Sequence, residues 1–259
     1  MKRFLAPPLI SLCLLALCAC GPVEPSVVTT TTAAPIEEAT IASTPSTTQA
    51  PATPPIEYPA SYKDAPAAYK PILDDLYKFV YVLVNDIPID EYELFGKTGF
   101  GDGWGYAFSY GEHVYGVVGY AIQDINNDGV PELLLLNKEG VILSFFTLKD
   151  NKPILLGSYG RREYCGGIAT DGTIYTVGHA GAAAYNLHAS ILKPGANELT
   201  VLKCFYCDAD FSAEPTVFYY RQVIGNEERD ITYERFQELH ETYSNPPNPM
   251  PLNFIPIGQ

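Results

Sequence analysis

Nine residues, Asp124-Ile125-Asn126-Asn127-Asp128-Gly129-Val130-Pro131-Glu132, place oxygen-bearing side chains at every second position, then a glycine, then another carboxylate. Apolar runs border the segment, Val114 to Ile122 before it and Leu133 to Leu136 after it. A short loop built this way can wrap a hard divalent cation, and calcium is the ion that an all-oxygen donor set of this kind favours. The flanks are nearly continuous in hydrophobicity rather than alternating, which predicts strands covered on both faces. The chain must therefore fold around this loop and supply cover to both sides of the strands that carry it.

The rest of the sequence offers that cover. Ile72, Leu73, Leu76, Phe79, Val80 and Leu83 follow the three-four spacing of one apolar helix face, with Pro71 near the start and Asp86-Ile87-Pro88 as the stop. A glycine-rich loop, Gly96 to Gly105, carries the single tryptophan, Trp104. Beyond the calcium loop, turn signals recur at Lys138-Glu139-Gly140, Asp150-Asn151-Lys152-Pro153, Asp171-Gly172, Pro194 to Asn197 and Gly225-Asn226. Between them lie strand-like stretches such as Val141 to Leu148, Thr173 to Val177, Tyr185 to Leu192, Leu199 to Tyr206 and Thr216 to Ile224. Thr232 is placed to cap a second helix whose inner face is Phe236, Leu239, His240 and Tyr243. The Pro-rich end, Asn245 to Pro256, reads as a closing extended segment. The expected fold is α+β, a mainly antiparallel twisted sheet flanked by an N-terminal and a C-terminal helix.

The first residues read as a targeting segment. Lys2 and Arg3 precede a short apolar run, Leu9 to Leu17, too short to span a bilayer as a stable anchor. The run ends in Leu17-Cys18-Ala19-Cys20-Gly21, where a small residue precedes the cysteine and an aliphatic one lies three before it. This resembles the lipobox of bacterial lipoproteins. The resemblance implies removal of residues 1–19 and lipidation of Cys20, hence a lipid-anchored protein on the outer face of a bacterial cell membrane. Residues 20–61 then form a Pro/Thr/Ala-rich tract with few large side chains, which cannot offset its own backbone entropy and is expected to stay extended. At about 3.1 Å per residue such a tether reaches on the order of 100 Å. Residues 62–259 are expected to form the single folded domain.

Charge and cysteine content narrow the function classes. The formal net charge is −14. Nucleic acid as a partner is therefore disfavoured, because phosphate binding needs clustered Lys and Arg. Of the six cysteines, only Cys165, Cys204 and Cys207 lie in the expected domain. Cys204 and Cys207 sit in a strand-like stretch, where residues three apart face opposite sides, so they are not expected to pair. A disulfide from Cys165 to either, a zinc site with His179 or His188, and three ordinary thiols all remain open.

At the twelfth position, where an EF-hand or dockerin loop needs a carboxylate, the chain has Leu135. The calcium loop instead resembles those of FG-GAP or VCBS-type repeats, which sit in a hairpin between strands. That resemblance implies side-chain ligation by Asp124, Asn126 and Asp128, a carbonyl from Val130 and a closing carboxylate from Glu132. Gly129 permits the reversal that ligation at Asp128 requires. The unit occurs once, and about 200 residues cannot build a seven-bladed propeller, so the loop carries over and the propeller does not. More broadly, the order of helix, loop-bearing sheet and terminal helix resembles a group of bacterial surface lipoproteins, which implies a location and the loop but no activity.

The functional expectation is a ligand-binding or adhesion module at the cell surface, with calcium as a structural ion and a glycan or protein as ligand. The 19 tyrosines are candidate contacts, though tyrosine is also a favoured strand residue. Trp104 is the named candidate for ligand contact. The alternative is an envelope hydrolase with an unrecognised active site. No Gly-x-Ser-x-Gly elbow or HExxH helix is present, and His113, His179, His188 and His240 are scattered. Asp102 and Glu112 near Trp104 are a candidate acid pair for glycoside cleavage. His240, on an apolar helix face, reads as a core residue.

Overall fold

Strand residues alternate in direction, so a run of four consecutive leucines must be buried on two sides at once. Leu133 to Leu136 meet that demand, each at most 1% exposed. Leu133 and Leu135 join one core cluster, and Leu134 and Leu136 join another. The layering of the fold follows from this split.

The computed structural model describes residues 56–85, 116–160, 162–179 and 184–257. Within them a 3-10 turn, Ala67–Tyr69, leads into helix α1, Lys70–Val84. Eleven strands follow: β1 Val118–Gln123, β2 Glu132–Asn137, β3 Ile142–Lys149, β4 Lys152–Ser158, β5 Glu163–Ile168, β6 Ile174–His179, β7 Tyr185–Leu192, β8 Leu199–Asp210, β9 Val217–Ile224, β10 Glu227–Asp230 and β11 Ile255–Pro256. Helix α2, Tyr233–Ser244, lies between β10 and β11.

All eleven strands belong to one antiparallel sheet, ordered β10-β9-β8-β7-β6-β5-β3-β2-β1-β11, with β4 pairing to β3 beside this path. Most neighbours in the sheet are neighbours in sequence, joined by tight turns. Asp150 and Asn151, both with positive φ, make the turn between β3 and β4. Two pairings depart from this: β5 meets β3 through Ile142↔Cys165, past β4, and β11 returns from beyond α2 to pair with β1 through Gly119↔Pro256 and Tyr120↔Ile255. The fold is α+β, as the sequence predicts.

Helix α1 lays Ile72, Leu73, Leu76, Phe79 and Val80 against Leu133, Leu135, Tyr120 and Phe146, which is the apolar face anticipated from its spacing. On the other side, Leu134, Leu136, Ala121 and Phe145 are covered by Ile168, Ile174 and the chain near Met250, Leu252 and Phe254. Helix α2 closes a third cluster, with Phe236, Leu239 and Tyr243 packed on Val177, Leu187, Phe205 and Cys207. Thr232 caps this helix as expected, its hydroxyl accepting the Arg235 N–H at 3.2 Å. His240 departs from its expected role as a core residue, being only half-buried at the margin of that third cluster.

Among the described residues, Cys165, Cys204 and Cys207 form no disulfide. Cys207 belongs to the cluster under α2, whereas Cys204 pairs in register with His188 and Val223 at the alternate position, as the strand geometry requires.

Candidate functional site

The loop of residues 124–131 connects β1 to β2, an antiparallel pair that runs from Gln123↔Glu132 to Val118↔Asn137. Its side chains turn inward onto its own backbone. Asp124 accepts the Asp128 N–H at 3.2 Å and the Gly129 N–H at 2.9 Å through its two oxygens. Asn126 Oδ1 accepts the same Asp128 N–H at 3.1 Å, so oxygens from positions 124 and 126 converge on one donor. Asp128 accepts the Val130 N–H at 2.8 Å, and its other oxygen takes the Asn126 amide at 3.1 Å and the Gly195 N–H at 2.8 Å. Such local bonds are what Asx side chains offer a turn in place of a ladder. Asn127 and Gly129 supply the positive φ values, 58° and 83°, that the reversal needs.

Two of these contacts reach outside the loop. The Gly195 bond ties Asp128 to the turn between β7 and β8, and Lys149 holds the same turn through the Gly195 carbonyl at 3.2 Å. Burial tends to raise the Asp128 carboxyl, but the N–H groups of Gly195 and Val130 and the Asn126 amide outweigh it, leaving the carboxyl below its ordinary value.

Glu132 is the buried member of the set, with no exposed surface. Its carboxylate accepts the Ile125 N–H at 3.0 Å through Oε2 and the Thr147 hydroxyl at 3.0 Å through Oε1. It thereby joins the start of the loop, its exit and strand β3 at one point. Desolvation dominates its titration and pushes the carboxyl up to about 7, with the negative charges of Asp128 and Asp124 adding to the rise and the two hydrogen bonds opposing it. A carboxylate so placed gains from any cation that neutralises it.

By donor chemistry the residues fit a hard divalent ion: three carboxylates, one amide and the carbonyl of Val130, with no nitrogen or sulfur ligand among them. Among the described residues, no three His, Cys, Asp or Glu side chains gather closely enough to hold a metal by themselves. The convergent oxygens here are those of Asp124 and Asn126, with Asp128 alongside and Glu132 behind them. Every one of these carboxylate oxygens already accepts a hydrogen bond, so the loop is also a self-satisfied turn.

A second feature was not legible along the chain. An open cleft of about 700 Å³ lies between α2 and the β7–β9 part of the sheet. Its walls are aromatic: Tyr185 from β7, Phe218 and Tyr220 from β9, and Tyr233 and Phe236 from α2. Gln237, His240 and Glu241, on one side of α2, contribute the polar groups. Tyr220 stands 5.4 Å from the Tyr233 ring and 5.4 Å from the Phe236 ring, and Tyr185 meets His240 edge-on at 5.8 Å. Burial and the neighbouring His179 lower the His240 pKa, which favours a neutral imidazole. None of the loop residues 124–132 lines this cleft.

Cys20 and Trp104, with Asp102, Glu112 and His113, lie outside the described residues. Among the described residues, no helix is long and apolar enough to cross a membrane. In comparisons with known proteins, the chain matches no family model, no curated protein sequence and no solved structure.

Proposed function

We propose that the protein is a lipid-anchored ligand-binding module of a bacterial cell surface, held to the membrane through Cys20 and stabilised by calcium in the 124–132 loop. The observation that carries the binding role is the aromatic cleft under α2. Phe218 and Tyr233 are 46% and 49% exposed there, beside the buried cluster under α2. Exposed rings grouped around a concavity are what a binding surface needs and what a purely structural domain has no use for.

Calcium belongs to the scaffold rather than the cleft. Asp124, Asn126, Asp128, the Val130 carbonyl and Glu132 would hold it, and its charge would offset the buried Glu132 carboxylate. The loop joins β1 to β2 and reaches the β7–β8 turn, so stiffening it stiffens the sheet on which the cleft is built.

Two measurements test this reading. Calcium should raise the melting temperature by several degrees over EDTA, and Asp128→Ala should abolish that gain. Equal melting in calcium and EDTA removes the ion from the proposal. An array of glycans, cell-wall fragments and envelope proteins should give saturable hits with the calcium-loaded protein, and an array without hits removes the binding role.

A further inference from the structure

We infer that the cleft between α2 and strands β7–β9 is a binding site for an uncharged oligosaccharide of two or three sugar rings. The inference rests on the ligand-binding reading above and names the ligand class for it.

Shape is the first argument. At about 700 Å³ the cleft falls in the range of pockets that enclose drug-sized ligands, on the order of 300–1,000 Å³. It is far wider than a single ammonium headgroup requires. Its rings do not close into a box: Tyr220 is tilted by 50° to Tyr233 and by 46° to Phe236, which makes a splayed wall instead. A splayed wall of ring faces suits an extended ligand whose successive units each lie on one ring.

Chemistry is the second argument. An aromatic face is electron-rich, and the C–H groups on one side of a pyranose carry the small positive charge that such a face attracts. Hydroxyl groups project around the edge of the same sugar and need partners that both donate and accept. Gln237, His240 and Glu241 recur at helical spacing along one side of α2 and supply that mixture: an amide with both functions, an imidazole with one of each, and a carboxylate that accepts. The tyrosine hydroxyls add further groups of both kinds. Rings from both the sheet and the helix line the cleft, and the hydrogen-bonding groups of Gln237, His240 and Glu241 run along one side of α2, so a sugar would meet ring faces and polar groups together.

Charge is the third argument. Among the described residues, no Lys or Arg lines the cleft, and Glu241 is the formal charge there. Acidic sugars, phosphates and carboxylate peptides would meet repulsion without a compensating cation. Cys207 at the back of the cleft is buried, and burial raises its thiol pKa, so it offers packing surface and not a nucleophile.

The test is calorimetric titration of the protein with triacetylchitotriose, cellotriose, a galacturonic acid trimer and choline, with Gln237→Ala and Tyr220→Ala as variants. At least one of the two neutral trisaccharides should bind saturably. Gln237→Ala, on an exposed helix position, should weaken that binding about tenfold with an unchanged melting temperature, and Tyr220→Ala should weaken it further. The galacturonic acid trimer should bind at least tenfold more weakly than the tighter of the two neutral trisaccharides. The inference is overturned if neither neutral trisaccharide binds at 10 mM, or if Gln237→Ala leaves binding unchanged. It is equally overturned if choline or the acidic trimer occupies the cleft more tightly. In these cases envelope-protein hits on the array that are lost in Tyr220→Ala would leave the ligand-binding reading standing, whereas an array without hits takes both down.

Discussion

Glu132 concentrates the physical tension of the site. Its carboxylate has no exposed surface, and two hydrogen bonds do not cancel the cost of desolvating a charge. With its pKa near 7 in the folded protein, against an ordinary value of 4.5, the folded state binds more protons than the unfolded state between these limits. Stability contributed by this group is therefore complete below pH 4.5 and is lost as pH rises through 7. The shift corresponds to a loss on the order of 3 kcal/mol. In EDTA, urea unfolding at pH 5 and pH 8 should reveal most of that difference. Glu132→Gln keeps an acceptor but cannot ionise, and should flatten the profile; parallel profiles for the two proteins would contradict the assignment. Calcium, where it binds, should restore the wild-type protein at pH 8 and leave Glu132→Gln much less improved. The alternating oxygens were legible at positions 124, 126 and 128, and so was the closing acid. What could not be read was that Glu132 would be wholly buried and bonded to Thr147, fifteen residues away on β3.

Elements were legible where their period was strong. The α1 face and the Thr232 cap lie where the spacing places them, and β7 runs over the stretch anticipated for it, Tyr185–Leu192. Strands β4, β5 and β10 were not marked out, for three different reasons. β4 opens on Lys152-Pro153, which reads as the tail of a turn. β5 contains Gly166-Gly167, residues that weaken any local strand preference, and β10 is Glu-Glu-Arg-Asp with no apolar residue at all. Packing explains the glycine on β5. A Cβ at Gly166 would lie 1.8 Å from the Tyr243 carbonyl oxygen, so the C-terminal turn of α2 rests directly on that backbone. Gly166→Ala should therefore lift the end of α2 and cost about 3 kcal/mol, at the upper end of overpacking effects. Thr232→Ala, at the other end of the helix, should cost about 1 kcal/mol through loss of the cap alone. Chemical denaturation of both variants measures these values, and a smaller loss for Gly166→Ala than for Thr232→Ala would refute the close approach. The cleft depends on the same helix seating, since its residues come from Tyr185 to Glu241 and meet only when α2 docks on β7 and β9. No local pattern in the sequence encodes that meeting.

An open sheet of this width must protect two edges from pairing with another chain. At one edge, β10 carries four exposed charged residues and Arg221 of β9 pairs with Glu228, so an approaching strand would have to desolvate charge. At the other edge the protection is a strap. β11 pairs with β1, and the residues around it reach both layers: Leu252 and Phe254 enter the cluster with Leu134 and Leu136, while Ile255 and Ile257 enter the cluster beneath α1. Two paired residues would be a weak strand alone, but four apolar side chains anchored in two cores make the segment part of the domain. Deletion of residues 251–259 should accordingly cost about 5 kcal/mol, discounting for the partial exposure of three of the four. For a domain of this size that lowers the melting temperature by roughly 10–20 °C. It should also free the backbone of Gly119 and Tyr120 on β1, which then becomes the edge strand, so light scattering of the truncated protein should show association that rises with concentration. Restoring a polar sequence of equal length in place of Leu252, Phe254, Ile255 and Ile257 separates the two effects: stability should stay low because the cores remain open, whatever the edge does. A truncated protein that stays monomeric and melts with the full chain would mean that the strap covers nothing the domain requires.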